Sequence, residues 1–217
     1  MEEKVFGSLL IVWKNLFKEM YVTISNIKEE IQASIDVKTS LLNDDNLIHQ
    51  ISDLSQKCTE ALSAGGKIIF CGNGGSFADA QHLSAELTSR FLFDRPGLAS
   101  IALGTNSSAM TAIGNDYGFD NVFSRELEAI ANPGDILIAI TTSGNSSNIL
   151  KALETAQKKG ITSVAFTGSG RGMLDDETIT LNIPSADTAK IQECHILIGH
   201  IVCGLVESTM FSSVRAQ

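Results

Sequence analysis

From Gly65 onward the chain repeats one pattern: a short apolar run, a turn rich in Gly, Asn, Ser and Thr, then a helical stretch. This repetition constrains the fold more than any other feature, because it is the signature of successive βα units around a parallel sheet. The apolar runs are Lys67–Cys71, Ala99–Leu103, Asp135–Thr141, Ser163–Thr167 and Thr178–Ile183. Helical spacing follows at about Ser76–Phe91, Phe119–Ala131, Ser146–Lys159 and Asp187–Phe211. The expected fold class is α/β, a three-layer αβα sandwich with a five-stranded parallel sheet.

Residues 1–64 lack this pattern. Ile24, Ile27, Ile31 and Ile35, then Leu47, Ile51, Leu54, Cys58 and Leu62, recur at helical intervals, which predicts two N-terminal helices. We read 1–64 as a helical segment packing on the domain and on an oligomer, with 1–19 an extension of unassigned role. Residues 65–217 form the α/β domain, and the two together make one structural unit.

Composition narrows the class. Hydrophobic residues at 43% and charged residues at 19% leave enough apolar surface for a core and exclude wholesale disorder. Sixteen basic against 25 acidic residues give a net charge of −9, with no Lys/Arg cluster to neutralise a polymer of phosphates. No nucleic-acid partner is expected. The apolar stretch Val5–Phe17 is too short to span a bilayer and follows two acidic residues, so neither a membrane segment nor a signal peptide is expected. Cys58, Cys71, Cys194 and Cys203 sit in apolar contexts without a CxxC pair, which reads as reduced thiols and a cytoplasmic location.

The stretch Ile191–Phe211 is apolar nearly all round, and such a helix needs cover on every side. It reads either as a core helix or as a subunit interface, and its terminal position favours a homo-oligomer.

Ligands of open parallel sheets sit beyond the carboxyl ends of the strands. After the first run comes Gly72-Asn73-Gly74-Gly75-Ser76, whose glycines permit close backbone approach and whose amides open a helix. After the third comes the hydroxyl-dense turn Thr141-Thr142-Ser143-Gly144-Asn145-Ser146-Ser147-Asn148, running straight into a helix. It reads as a phosphomonoester site or as ordinary helix capping by Ser143 or Ser146. Neither GxGxxG nor GxxxxGK[ST] is present, so dinucleotides and nucleoside triphosphates are not expected. His82 and Glu86 stand four apart on one helical face, as an acid/base pair, a metal pair or a solvated contact. Gln192 and His200 are about 80° apart around the last helix and share a site only if other elements close around them. Buried polar side chains there need partners, from the core or from a ligand.

These motifs carry a resemblance. Gly72–Ser76, Asp79–Leu87, Ile113–Phe119, Phe123-Ser124-Arg125, the Thr141–Ser146 loop and Thr188–His195 with His200 beyond resemble the SIS (sugar isomerase) family. Within it they look like the phosphoheptose isomerases, with the match running from about Met20 to the C-terminus. The resemblance implies an aldose–ketose isomerase that converts sedoheptulose 7-phosphate to D-glycero-D-manno-heptose 7-phosphate through an enediolate. That is the first step toward bacterial heptose nucleotides for lipopolysaccharide or capsule. It implies Glu86 and His200 as catalytic residues and one zinc ion held by His82, Glu86, Gln192 and His200. Substrate contacts fall to Asn73, Gly74, Gly75, Ser76, Glu86, Asn115, Asp116, Thr141, Thr142, Ser143, Ser146 and Gln192. A homotetramer is implied. Asp116 reads from its Asn-Asp-Tyr-Gly context as a turn residue and enters through the resemblance alone. His195 is left as a core or interface residue. Some members carry a carboxylate where this chain has Ala189, and no role is assigned to the nearby Asp187. The alternative is a non-catalytic SIS protein that associates with the DnaA replication initiator; that group lacks the counterparts of Glu86 and His200.

Overall fold

The computed structural model describes residues 24–212, so Met1–Glu19 lie outside the described residues. The chain divides into two compact units after Asp36. Helix α1 (Ile24–Leu42) crosses that division. In its first part Ile27, Ile31 and Ile35 are exposed.

In the second unit α2 (Asp45–Ser63) starts where the Asp44 carboxylate accepts the amide of Leu47. It buries Leu47, Ile51, Leu54, Cys58 and Leu62, the row its spacing predicts. The βα series follows as β1 (Ile68–Gly72), α3 (Gly75–Thr88), β2 (Ser100–Ala102), α4 (Ser107–Tyr117), α5 (Val122–Ile130), β3 (Ile136–Ile140), α6 (Ser147–Lys158), β4 (Thr162–Thr167), β5 (Ile179–Asn182) and α7 (Thr188–Met210). A 3-10 turn at Phe119–Asn121 precedes α5.

All five strands pair in parallel in the order β2-β1-β3-β4-β5. The central strands β1 and β3 are buried at every residue, as strands covered on both faces must be. Their side chains alternate between two cores. Ile68, Phe70, Ile136, Ile138 and Ile140 meet α2, α3 and α7, whereas Ile69, Cys71, Leu137 and Ala139 meet α5 and α6. The three-layer α/β sandwich is therefore as expected. All four cysteines are buried free thiols, and burial pushes Cys58, Cys71 and Cys203 up to about 12.

One helix and two helix ends differ most from expectation. Helix α4 was not expected. It buries no residue fully and rests on the Asn106 cap and on Thr111 bonding back to Ser107, so it carries no strong apolar period. Asn115 and Asp116 accordingly lie in that helix, which stops at Gly118, rather than in a turn. The expected Phe119–Ala131 helix begins with the 3-10 turn, and α3 ends at Thr88, short of Phe91.

By length and composition α7 is, among the described residues, the one helix apolar enough to cross a membrane, yet half of its apolar window is buried within the chain. It packs on α2 and α3. Leu197, Ile201 and Leu205 form an uncovered row at four-residue intervals.

Candidate functional site

Strand order places β1 beside β3 with the chain leaving in opposite directions, which opens a crevice at their carboxyl ends. Gly72 pairs with Ile140 at that edge, so the loops after the two strands face each other. Their union is a cleft of about 290 Å³. Asn73, Gly74, Gly75 and Ser76 line it from the first loop, Thr141, Thr142 and Ser146 from the second, and Thr188 and Gln192 from α7.

Three helices, α3, α6 and α7, begin at this cleft, and the first amides of α3 and α6, which no side chain caps, suit an anion without a Lys or Arg in the lining. Gly74 is the N-cap of α3 at φ 57°, a conformation that favours glycine. A Cβ on Gly75 would meet Gln192 Nε2 at 2.6 Å, so only glycine lets that amide stand over the helix start. Ser146 occupies the N-cap position of α6 without a side-chain capping bond, which leaves its hydroxyl available. The Ser143 hydroxyl accepts the amide of Asn145 and does not line the cleft. Asp187 is spent on structure: its carboxylate accepts the amides of Ala189 and Lys190 and caps α7. The two loops are also tied together, because the side-chain amides of Asn73 and Asn148 exchange hydrogen bonds at 2.8 and 2.9 Å.

Further along the same two helices, His82 and Glu86 of α3 meet His200 of α7. His82 Nε2 lies 2.9 Å from Glu86 Oε1 and 3.2 Å from His200 Nε2, and donor atoms of all three residues lie within 4.8 Å of one another. Burial, with His82 adding to it, pushes the His200 imidazole below its ordinary value, while Glu86 opposes. One hydrogen on His82 Nε2 cannot serve both neighbours along straight bonds, whereas a cation shared by the three lone pairs satisfies all of them. Two His and one Glu are also the donor set of a zinc site that keeps an open position. The group therefore fits a metal ion.

The expected residues thus gather in two places. The cleft takes Asn73, Gly74, Gly75, Ser76, Thr141, Thr142, Ser146 and Gln192; the second group takes His82, Glu86 and His200. Asn115 and Asp116 stand on α4, where the Asn115 amide donates to the Asp116 carboxylate. Thr188 and Asn148 were missed, although both lie within motifs already singled out. Asp79 was missed too. It precedes His82 by three residues and Glu86 by seven, burial pushes its carboxyl up, and one of its oxygens is buried without a hydrogen-bond partner. The Asp-x-x-His-x-x-x-Glu spacing is the signal for it.

Comparison with known proteins places the chain in a family. The SIS domain family matches residues 31–168. The chain is 50% identical over 186 residues to the phosphoheptose isomerase of Sulfurimonas denitrificans, covering 85% of this chain and 95% of that protein. It is 51% identical over 186 residues to that of Aneurinibacillus thermoaerophilus, covering 85% and 94%. The solved structure of a phosphoheptose isomerase from Francisella tularensis superposes with a TM-score of 0.81 at 36% identity, covering 87% of this chain and all of that one. The chain is a member of the SIS domain family and belongs within it to the phosphoheptose isomerases.

Proposed function

We propose that this isomerase interconverts sedoheptulose 7-phosphate and D-glycero-D-manno-heptose 7-phosphate, in the cytoplasm, on the way to heptose nucleotides for lipopolysaccharide or capsule. The observation that carries the reading is the pairing of an anion cleft with the His82, Glu86 and His200 group along the same two helices. From Ser76 to His82 is about 9 Å along α3, and from Gln192 to His200 about 12 Å along α7, at 1.5 Å per residue. An extended sugar phosphate laid along this line puts its phosphate at one end and its first two carbons at the other.

Ser76, Thr142 and Ser146 hold the phosphate, without the Ser143 hydroxyl, which is turned to the Asn145 amide, and binding energy there holds the far carbons in register. Asn73, Gly74, Gly75, Asn115, Asp116, Thr141 and Gln192 complete the sugar contacts. Glu86 removes a proton from C1 of the ketose and returns it to C2. His200 gives a proton to the C2 oxygen and takes one from the C1 hydroxyl, so an enediolate forms and collapses to the aldose. Zinc held by His82, Glu86 and His200 would polarise the carbonyl and hydroxyl oxygens, while Gln192, which stands over the start of α3, stays with the sugar. The uncovered Leu197, Ile201 and Leu205 row supports assembly as a homo-oligomer, which we read as the homotetramer of the resemblance. Four buried free thiols support the reducing location. The relatives give no support to association with the DnaA initiator.

The test is incubation with sedoheptulose 7-phosphate before and after chelation, with aldose formation followed by NMR. Turnover restored by zinc is expected, and Glu86→Gln should lower it by about 10² to 10⁴. Near wild-type turnover in a folded Glu86→Gln protein removes Glu86 as the base. Binding without turnover in the wild type returns the chain to the interaction-protein reading.

A further inference from the structure

Beyond α3 the chain runs through residues 89–96 as a strap across α7. The Glu207 carboxylate accepts the backbone amides of Phe91 at 2.9 Å and Leu92 at 2.7 Å, and Arg95 Nε at 2.9 Å. The guanidinium of Arg95 in turn donates to the carbonyls of Glu86 and Leu87 in the last turn of α3. Both charged side chains are fully buried. A single ion pair therefore joins the strap, the end of α3 that carries Glu86, and α7.

The strap so held lays the Phe91 ring on the His200 imidazole. The ring centroids are 5.4 Å apart and the planes 19° apart, a stacked pair. The same ring lies over Gly204, where a Cβ would stand 3.3 Å from Phe91 Cε1. His200, Gly204 and Glu207 recur at i, i+4 and i+7 and so lie on one face of α7. That face stacks the ring, seats it and anchors its backbone, in that order along the helix.

An imidazole on two rotatable bonds holds its plane only if something flanks it. His82 meets His200 at its Nε2 edge, and Phe91 covers its face. We infer that Phe91 is a positioning residue that holds the His200 ring with Nε2 turned to His82 and Glu86, and thereby sets the affinity of this group for zinc. The inference rests on the reading of that group as a metal site.

The experiment titrates zinc, against a chromophoric chelator, into metal-free wild type, Phe91→Ala, Phe91→Tyr and Leu92→Ala, with thermal unfolding of each metal-free protein alongside. Groups that orient a metal ligand are commonly worth about 10- to 100-fold in metal affinity, and Phe91→Ala should lose that much. Phe91→Tyr, which keeps the ring, and Leu92→Ala, on the same strap, should bind as wild type. If Phe91→Ala does not fold, Gly204→Val fills the ring's seat and should weaken zinc by a similar factor. Unchanged zinc affinity in a folded Phe91→Ala protein, or equal loss in Phe91→Ala and Phe91→Tyr, overturns the inference while leaving the metal site standing. A wild-type protein that takes up no zinc overturns the metal site, and the inference with it.

Discussion

His195 offers a test of the core that is independent of catalysis. Its side chain is fully buried, Nε2 donates to the carbonyl of Thr167 at 3.1 Å, and Nδ1 is buried without a hydrogen-bond partner. Burial pushes the imidazole down from 6.5 to about 4, with the Thr167 carbonyl opposing in part. Above pH 6.5 the ring is neutral in both the folded and the unfolded chain and contributes no pH dependence. As pH falls from 6.5 toward 4 the unfolded chain binds a proton that the folded chain refuses, so stability falls. At about pH 4.5 the loss from this one group comes to roughly 2.5 kcal/mol. The perturbation is His195→Gln, whose amide can still donate toward Thr167 but does not titrate. Urea unfolding followed by circular dichroism at neutral pH and at pH 4.5, at one protein concentration so that assembly does not enter, gives the difference between the two proteins. The variant should lose about 2.5 kcal/mol less than wild type on acidification. Parallel losses in the two would refute a neutral, proton-refusing His195.

The Arg95–Glu207 pair should behave asymmetrically. Burial alone would push Glu207 up, but the Phe91 and Leu92 amides and Arg95 together hold it below the usual carboxylate range. Arg95→Met leaves that carboxylate buried and unpaired, and should cost about 3–5 kcal/mol in chemical denaturation. Gly75→Ala displaces the flexible end of Gln192 rather than backbone, so Tm should hold while KM for the sugar phosphate rises about 2- to 10-fold, the worth of one neutral hydrogen bond. Asn148→Ala unpairs the Asn73 amide, and steady-state kinetics should again show KM rising more than kcat falls, because the two loops lose their tie.

Much of this protein is local and so was legible in the chain. A fully buried strand must be apolar throughout, which made β1 and β3 plain, and an amphipathic helix must repeat its apolar residues, which made α2 plain. The two loops of the cleft announce themselves by glycine and hydroxyl content, because tight turns favour glycine and helix starts favour Ser, Thr and Asn. Helix α4 stayed hidden since a cap and side-chain hydroxyls hold it rather than a buried stripe. His82 and Glu86 showed their shared face through spacing alone, but nothing local says that His200, more than a hundred residues later, points its Nε2 at them. Gln192 and His200, 80° apart on one helix, serve two different stretches of α3, and only the packing of α7 along α3 decides which. The Arg95–Glu207 clamp is likewise invisible in sequence, since a charged residue reads as a surface residue until its buried partner arrives from elsewhere. Sequence alone determined the five strands, most of the helices and the glycine- and hydroxyl-rich turns between them, because backbone sterics and hydrophobic periodicity act over a few residues. Tertiary structure decided which side chains meet across α3 and α7, because those contacts depend on how two rigid helices pack on one sheet.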